Sequence, residues 1–104
     1  MIGGGDWVTG QCKVVNPMGM HARPAGRFVE LAKRFDARVR VAVRGDEVDG
    51  LSILSLLMLE AVRGTTVQIK AQGVDAEAAV EALSQLIENG FDERWSWDGR
   101  GARG

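Results

Sequence analysis

The sequence predicts an α+β domain: an open-faced β-sandwich whose four-stranded, mostly antiparallel sheet carries three helices on one face. Three observations point there. Period-two alternation recurs at about residues 7–15, 38–44 and 66–71. Apolar residues at i, i+3, i+4 and i+7 mark the stretches after the first and last of these. The two kinds interleave in the order β-α-β-β-α-β-α, which leaves one sheet face for helices to cover.

The glycine-rich start, residues 1–6, is expected to be flexible, and the folded domain is expected over 7–91. In the first strand Val8, Gly10, Cys12 and Val14 share one parity and Thr9, Gln11 and Lys13 the other. Asn16-Pro17-Met18-Gly19-Met20 breaks it, since proline cannot donate to a ladder and glycine permits a turn. From Ala22 a helix follows with Ala25, Phe28, Val29, Ala32 and Phe35 on one face, and Pro24 in the first turn, where a missing N–H costs nothing. Arg38 to Arg44 alternates with Val39, Val41 and Val43 inward. Gly45-Asp46 then predicts a hairpin turn into a short strand near Glu47-Val48.

Residues 51–60 predict a short helix, with Ser52 as its N-cap and Gly64 as its stop. Thr66 to Ala71 is the fourth strand, with Val67, Ile69 and Ala71 on one side. The last helix is expected to start at Asp75, to bury Ala76, Val80, Leu83 and Ile87, and to stop at Asn89-Gly90. Residues 92–104 form a tail without helical or strand period, holding Trp95 and Trp97, which either pack back on the domain or bind something.

Composition excludes several functions. In 104 residues there is no room for a cofactor domain beside a substrate domain. Thirteen basic against fourteen acidic side chains leave a net charge of -1, without the basic excess that general nucleic-acid binding draws on. The single cysteine, Cys12, cannot form an internal disulfide, and the start shows no signal peptide. The longest apolar run, Leu56 to Leu59, is far short of the roughly 20 residues that span a bilayer. A cytoplasmic protein with no membrane or nucleic-acid partner is expected.

The only histidine, His21, stands where a glycine-containing loop meets a helix start. Unpaired N–H groups and the positive end of the helix dipole gather there, a ready site for a phosphoryl group. A neutral imidazole nitrogen can attack phosphorus, and Arg23 can neutralise the oxygens that carry charge in the transition state. Equally, an isolated histidine at a helix start can be a plain capping or surface residue. The second helix adds a different signal. Ile53, Leu54, Leu56, Leu57, Met58 and Leu59 leave too few polar positions for a solvated face, so half should be core and half an exposed apolar patch.

The string Asn16-Pro17-Met18-Gly19-Met20-His21-Ala22-Arg23-Pro24-Ala25-Gly26 resembles the active-site signature of the HPr family of histidine phosphocarriers. The likeness extends over about Thr9 to Glu93, through the element order, the Ser52-Ile53 pair and Gly64. Within the family the chain is more similar to the nitrogen-branch carriers, the NPr type, by Gly19 to Ala25, Leu56 to Glu60 and Asn89 to Glu93. Sugar-branch HPr is the alternative.

The resemblance implies that His21 accepts a phosphoryl group on Nδ1 from an Enzyme I-type phosphohistidine, itself charged by phosphoenolpyruvate. It then passes the group to a histidine of an IIA-type protein. Arg23 would stabilise the phosphoryl charge and Pro24 would hold the loop and helix start. Such a carrier is not an enzyme, works as a monomer, and needs no cofactor or metal. Ser52, beyond capping its helix, stands where relatives can be phosphorylated by a dedicated HPr kinase/phosphorylase, which would add roughly -1.5 to -2 charges beside the partner surface. Ile53, Leu54 and Leu57, with Met20, are expected to dock partners. Arg27 and Lys33 could steer an acidic partner or belong to a merely solvated face.

Two departures from the family pattern stand out: Gly26 replaces a common alanine, and Glu30 occupies a position that sugar-branch carriers tend to keep basic. Two rival functions remain at this point. A phosphorylation-dependent adaptor could bind targets with little phosphoryl flux. A free-standing hydrolase would need an acid or base and a pocket, of which one histidine in so small a chain offers little.

Overall fold

The computed structural model of the chain describes residues 6–92, so the first five residues and the tail from 93, including Trp95 and Trp97, lie outside the described residues. The observed elements are β1 (Val8–Lys13), α1 (Ala22–Ala32), β2 (Arg38–Val43), β3 (Asp46–Asp49), α2 (Ile53–Met58), β4 (Thr66–Gln72) and α3 (Ala76–Glu88). They follow the expected order. The strands form one sheet in the order β1-β4-β2-β3, every neighbouring pair antiparallel.

The registers explain why the alternating residues make a core. Cys12 pairs with Val67, Ile69 with both Gly10 and Val41, and Ala71 with both Val8 and Val39. One parity of each strand therefore gathers on the helix-covered side, over Phe28, Leu56, Leu83, Ile87 and Phe91, all fully buried. The opposite face is polar. There Glu47 accepts from Lys70 Nζ (2.9 Å) and is ion-paired with Arg40 Nε, and these two cations, Lys70 first, hold its carboxyl below the ordinary range.

Three local features differ from expectation, each for a backbone reason. The β2–β3 turn is Arg44-Gly45, one residue earlier than expected. Val43 pairs with Asp46, and both central residues have positive φ (51° and 86°), as a type I′ turn requires. Helix α2 stops at Met58 with Leu59 as C-cap because Glu60 turns left-handed (φ 53°). Gly64 (φ 90°) does not end α2; its N–H donates to Val14 O (2.8 Å) in the approach to β4. Asp75 stands at the start of α3 as expected, and its carboxylate serves the segment before β2: Asp75 Oδ2 accepts from Asp36 N (2.7 Å), and Asp75 N donates to Asp36 O (3.1 Å).

Gly10 shows how closely α3 lies on β1. A Cβ there would stand 2.7 Å from Val80 Cγ1. Gly10→Ala is therefore expected to lower stability by about 1–3 kcal/mol through overpacking. Urea unfolding of the two proteins compares them, and equal midpoints would mean that α3 can move aside.

Candidate functional site

The loop between β1 and α1 has no regular structure, so it must be held by side chains and by its neighbours. Asn16 is fully buried, and its Nδ2 donates to Gly19 O (2.8 Å) while Gly19 N donates to Asn16 O (3.1 Å). Gly19 is required twice over: its φ is 70°, and a Cβ would stand 2.5 Å from Ala61 O. Met20 N donates to that same Ala61 O (2.8 Å). The loop is thus pinned to itself and to the segment that follows α2.

This delivers His21 to the N-cap position of α1, in an extended conformation (φ -110°, ψ -168°), with its N–H on Gly19 O (3.1 Å) and its carbonyl receiving Ala25 N–H (2.9 Å). The imidazole makes no capping hydrogen bond, so the plain capping role fails. The residue is half-buried, and its Nε2 is buried.

Pro24 is fully buried and has no N–H to leave unsatisfied, so the first-turn amides without an intrahelical acceptor belong to Ala22 and Arg23. No acidic residue occupies that turn, and Arg23 is exposed beside it. The local field favours an anion.

The docking residues expected from the sequence separate. Ile53 and Leu54 are exposed, Leu54 by 71%. Leu57 is instead half-buried against the core, and Met58, 73% exposed, takes the outer place. The helical repeat contains the reason: Met58 lies about 200° round the axis from fully buried Leu56, and Leu57 only about 100°. Met20 is a second correction. It is 6% exposed and packs in the core rather than on the surface where a docking residue was expected.

Two further apolar residues that sequence reasoning did not single out, Met18 and Val62, are exposed beside Gly19 and Ala61, where the histidine loop meets the chain after α2. Nothing in their sequence spacing signals this, because it depends on the contact between two loops. Ser52 is the N-cap expected, its Oγ accepting from Ser55 N (3.1 Å). Arg27 is exposed in the groove between α1 and α3, beside Leu31 and Leu86. Lys33 is exposed at the C-cap of α1, about 18 Å along the axis from His21.

The other nucleophilic side chain of note is disabled. Cys12 is buried, and desolvation, with the Glu88 carboxylate second and a Ser84 hydrogen bond opposing, pushes its thiol up to about 11. It is expected to resist iodoacetamide at pH 8 in the folded protein and to react once unfolded. Fast labelling without denaturant would contradict that burial. No cluster of His, Cys, Asp or Glu suited to a metal ion occurs among the described residues, and none of their helices is long and apolar enough to cross a membrane.

The structure presents a histidine at the open start of a helix, with an exposed arginine in the same turn. That is the layout of a histidine phosphocarrier. The family model described as the phosphorylation site of the PTS HPr component matches residues 8–89, and the chain belongs to the HPr family.

Phosphocarrier protein HPr of Pseudomonas aeruginosa is 41% identical over 81 residues, covering 77% of this chain and 90% of that one. Phosphocarrier protein NPr of Escherichia coli K12 is 39% identical over 82 residues, covering 78% and 91%. The crystal structure of HPr from Bacillus anthracis superposes with a TM-score of 0.75 at 34% identity, covering 78% of this chain and 96% of that one. The protein is accordingly a carrier of phosphohistidine in a relay rather than an enzyme, and its family interacts with Enzyme I and IIA components of the phosphotransferase system.

Proposed function

We propose that His21 is the phosphoacceptor and Nδ1 the nitrogen that carries the group. The observation that supports this most directly is the place of His21 at the N-cap of α1, where the unpaired first-turn amides and the exposed Arg23 favour an anion. In the transfer the Nδ1 lone pair forms a new N–P bond as the N–P bond of an Enzyme I-type phosphohistidine breaks. The electron pair returns to the departing imidazole. Arg23 and the amides of Ala22 and Arg23 face the three phosphoryl oxygens, whose charge they offset. Pro24 stiffens the helix start. The reverse chemistry then loads an IIA-type histidine.

The unit that does this is residues 7–91, acting as a cytoplasmic monomer. Ile53, Leu54 and Met58, extended by Met18 and Val62, form the surface on which the donor and the acceptor dock in turn. Leu57 supports that surface from beneath. Arg27 and Lys33 are exposed charges on α1 that favour an acidic partner, Lys33 from its distant end. Ser52 is the control point: a phosphate on its Oγ would place negative charge beside the docking surface. Transfer in the nitrogen-related branch is our reading, supported by the stretches Leu56 to Glu60 and Asn89 to Glu93 and by Glu30 on α1.

Incubation with phosphoenolpyruvate and an Enzyme I-type protein is expected to put an acid-labile, base-stable phosphate on the chain, and none on His21→Ala. No label on the unaltered protein with any Enzyme I-type protein of its organism would end the relay reading. Arg23→Ala is expected to slow transfer about tenfold to a hundredfold with the fold retained, and unchanged kinetics would remove Arg23 from the mechanism. The labelled carrier is expected to load a nitrogen-type IIA faster than a sugar-type IIA. The opposite preference, measured as initial transfer rates, would assign it to the sugar branch.

A further inference from the structure

We propose that Arg44, in the β2–β3 turn, is a positioning residue for partner docking because it closes the end of α2. The proposal rests on the relay reading above.

The turn is where the observation starts. A type I′ turn needs positive φ at both central residues, and asparagine, aspartate or glycine meets that need best. Here the first position is arginine, held at φ 51°. What arginine has and asparagine lacks is reach. Arg44 Nη2 donates to Leu59 O (3.1 Å) in a part-buried contact, and Leu59 is the C-cap of α2.

That carbonyl needs a donor. The last carbonyls of a helix have no intrahelical partner and carry the negative end of the dipole, and α2 has no basic residue in its own last turn. Six residues are also too few for a helix to hold its shape unaided. The end of α2 relaxes into tight turns, Leu59 N donating to Leu56 O and Glu60 N to Leu57 O (both 3.2 Å). Arg44 supplies from another element the charge and the donor that α2 lacks.

The location ties this to docking. Leu54 and Met58, the most exposed apolar residues of α2, lie within the turns that end at Leu59. Two residues beyond Leu59, Ala61 O holds Met20 N and so the histidine loop. Arg44 therefore braces the point from which both the docking face and His21 are set.

The test uses Arg44→Asn, which removes the guanidinium while placing a favoured residue in the turn, so the hairpin stays intact. Amide hydrogen exchange in the free protein is expected to quicken about fivefold at Leu59 and Glu60, with β2 and β3 amides unchanged. In phosphorylation by an Enzyme I-type protein, KM for the carrier is expected to rise about fivefold at unaltered kcat. Exchange at Leu59 and Glu60 equal to that of the unaltered chain would overturn the brace. Faster exchange with KM unmoved would overturn its role in docking. If the unaltered chain takes no phosphate, the relay reading fails, while exchange in the free protein still decides whether Arg44 holds α2.

Discussion

The structure depends on a loop without secondary structure being held still at the start of a helix. Five residues, Asn16 to Met20, must reverse the chain and set His21 at the start of α1, with no ladder of their own to satisfy their backbone groups. The answer is one buried asparagine and one shared carbonyl. Asn16 closes the loop on Gly19, and Ala61 O receives Met20 N while the bare Cα of Gly19 packs against it. Further along, Val14 exchanges hydrogen bonds with Gly64 and Thr65. The end of β1, the start of α1 and the chain after α2 thus behave as one unit.

That coupling accounts for the placement of the exposed apolar residues. An isolated exposed leucine needs no explanation, but Leu54, Met58, Val62 and Met18 are all widely exposed and occur on the segments that this unit joins. The polar face of the sheet, with Glu47 between Arg40 and Lys70, is on the other side and leaves this surface undisturbed.

Much of the fold was legible in the sequence because periodicity is a local property. The alternation in β1, β2 and β4 and the helical repeats in α1 and α3 named the buried residues Cys12, Val41, Ile69, Phe28 and Leu83 without reference to the rest of the chain. Errors gathered where a single backbone angle decides. The turn fell at Arg44-Gly45 rather than Gly45-Asp46, and α2 ended on a left-handed Glu60 that no propensity favours. His21, Arg23 and Pro24 stand in one contiguous string, and Ser52 was readable as the N-cap that it is. Met20 was expected on the surface and is buried, and Leu57 is half-buried, because a helix with apolar residues all round does not announce its inner side, and a loop methionine does not announce an anchor.

By itself the sequence determined the fold class, the order of the elements, the helix start at which the lone histidine stands, and the family resemblance. All of these are written in short spacings and in one contiguous string. Tertiary structure decided that His21 is half-buried with its Nε2 covered, which apolar side chains of α2 face outward, and that Met18 and Val62 are exposed as well. It also decided that an arginine in a hairpin closes a helix fifteen residues further along. Each of these is set by contact between segments distant in the chain, and spacing along one segment carries no information about what another will bring against it.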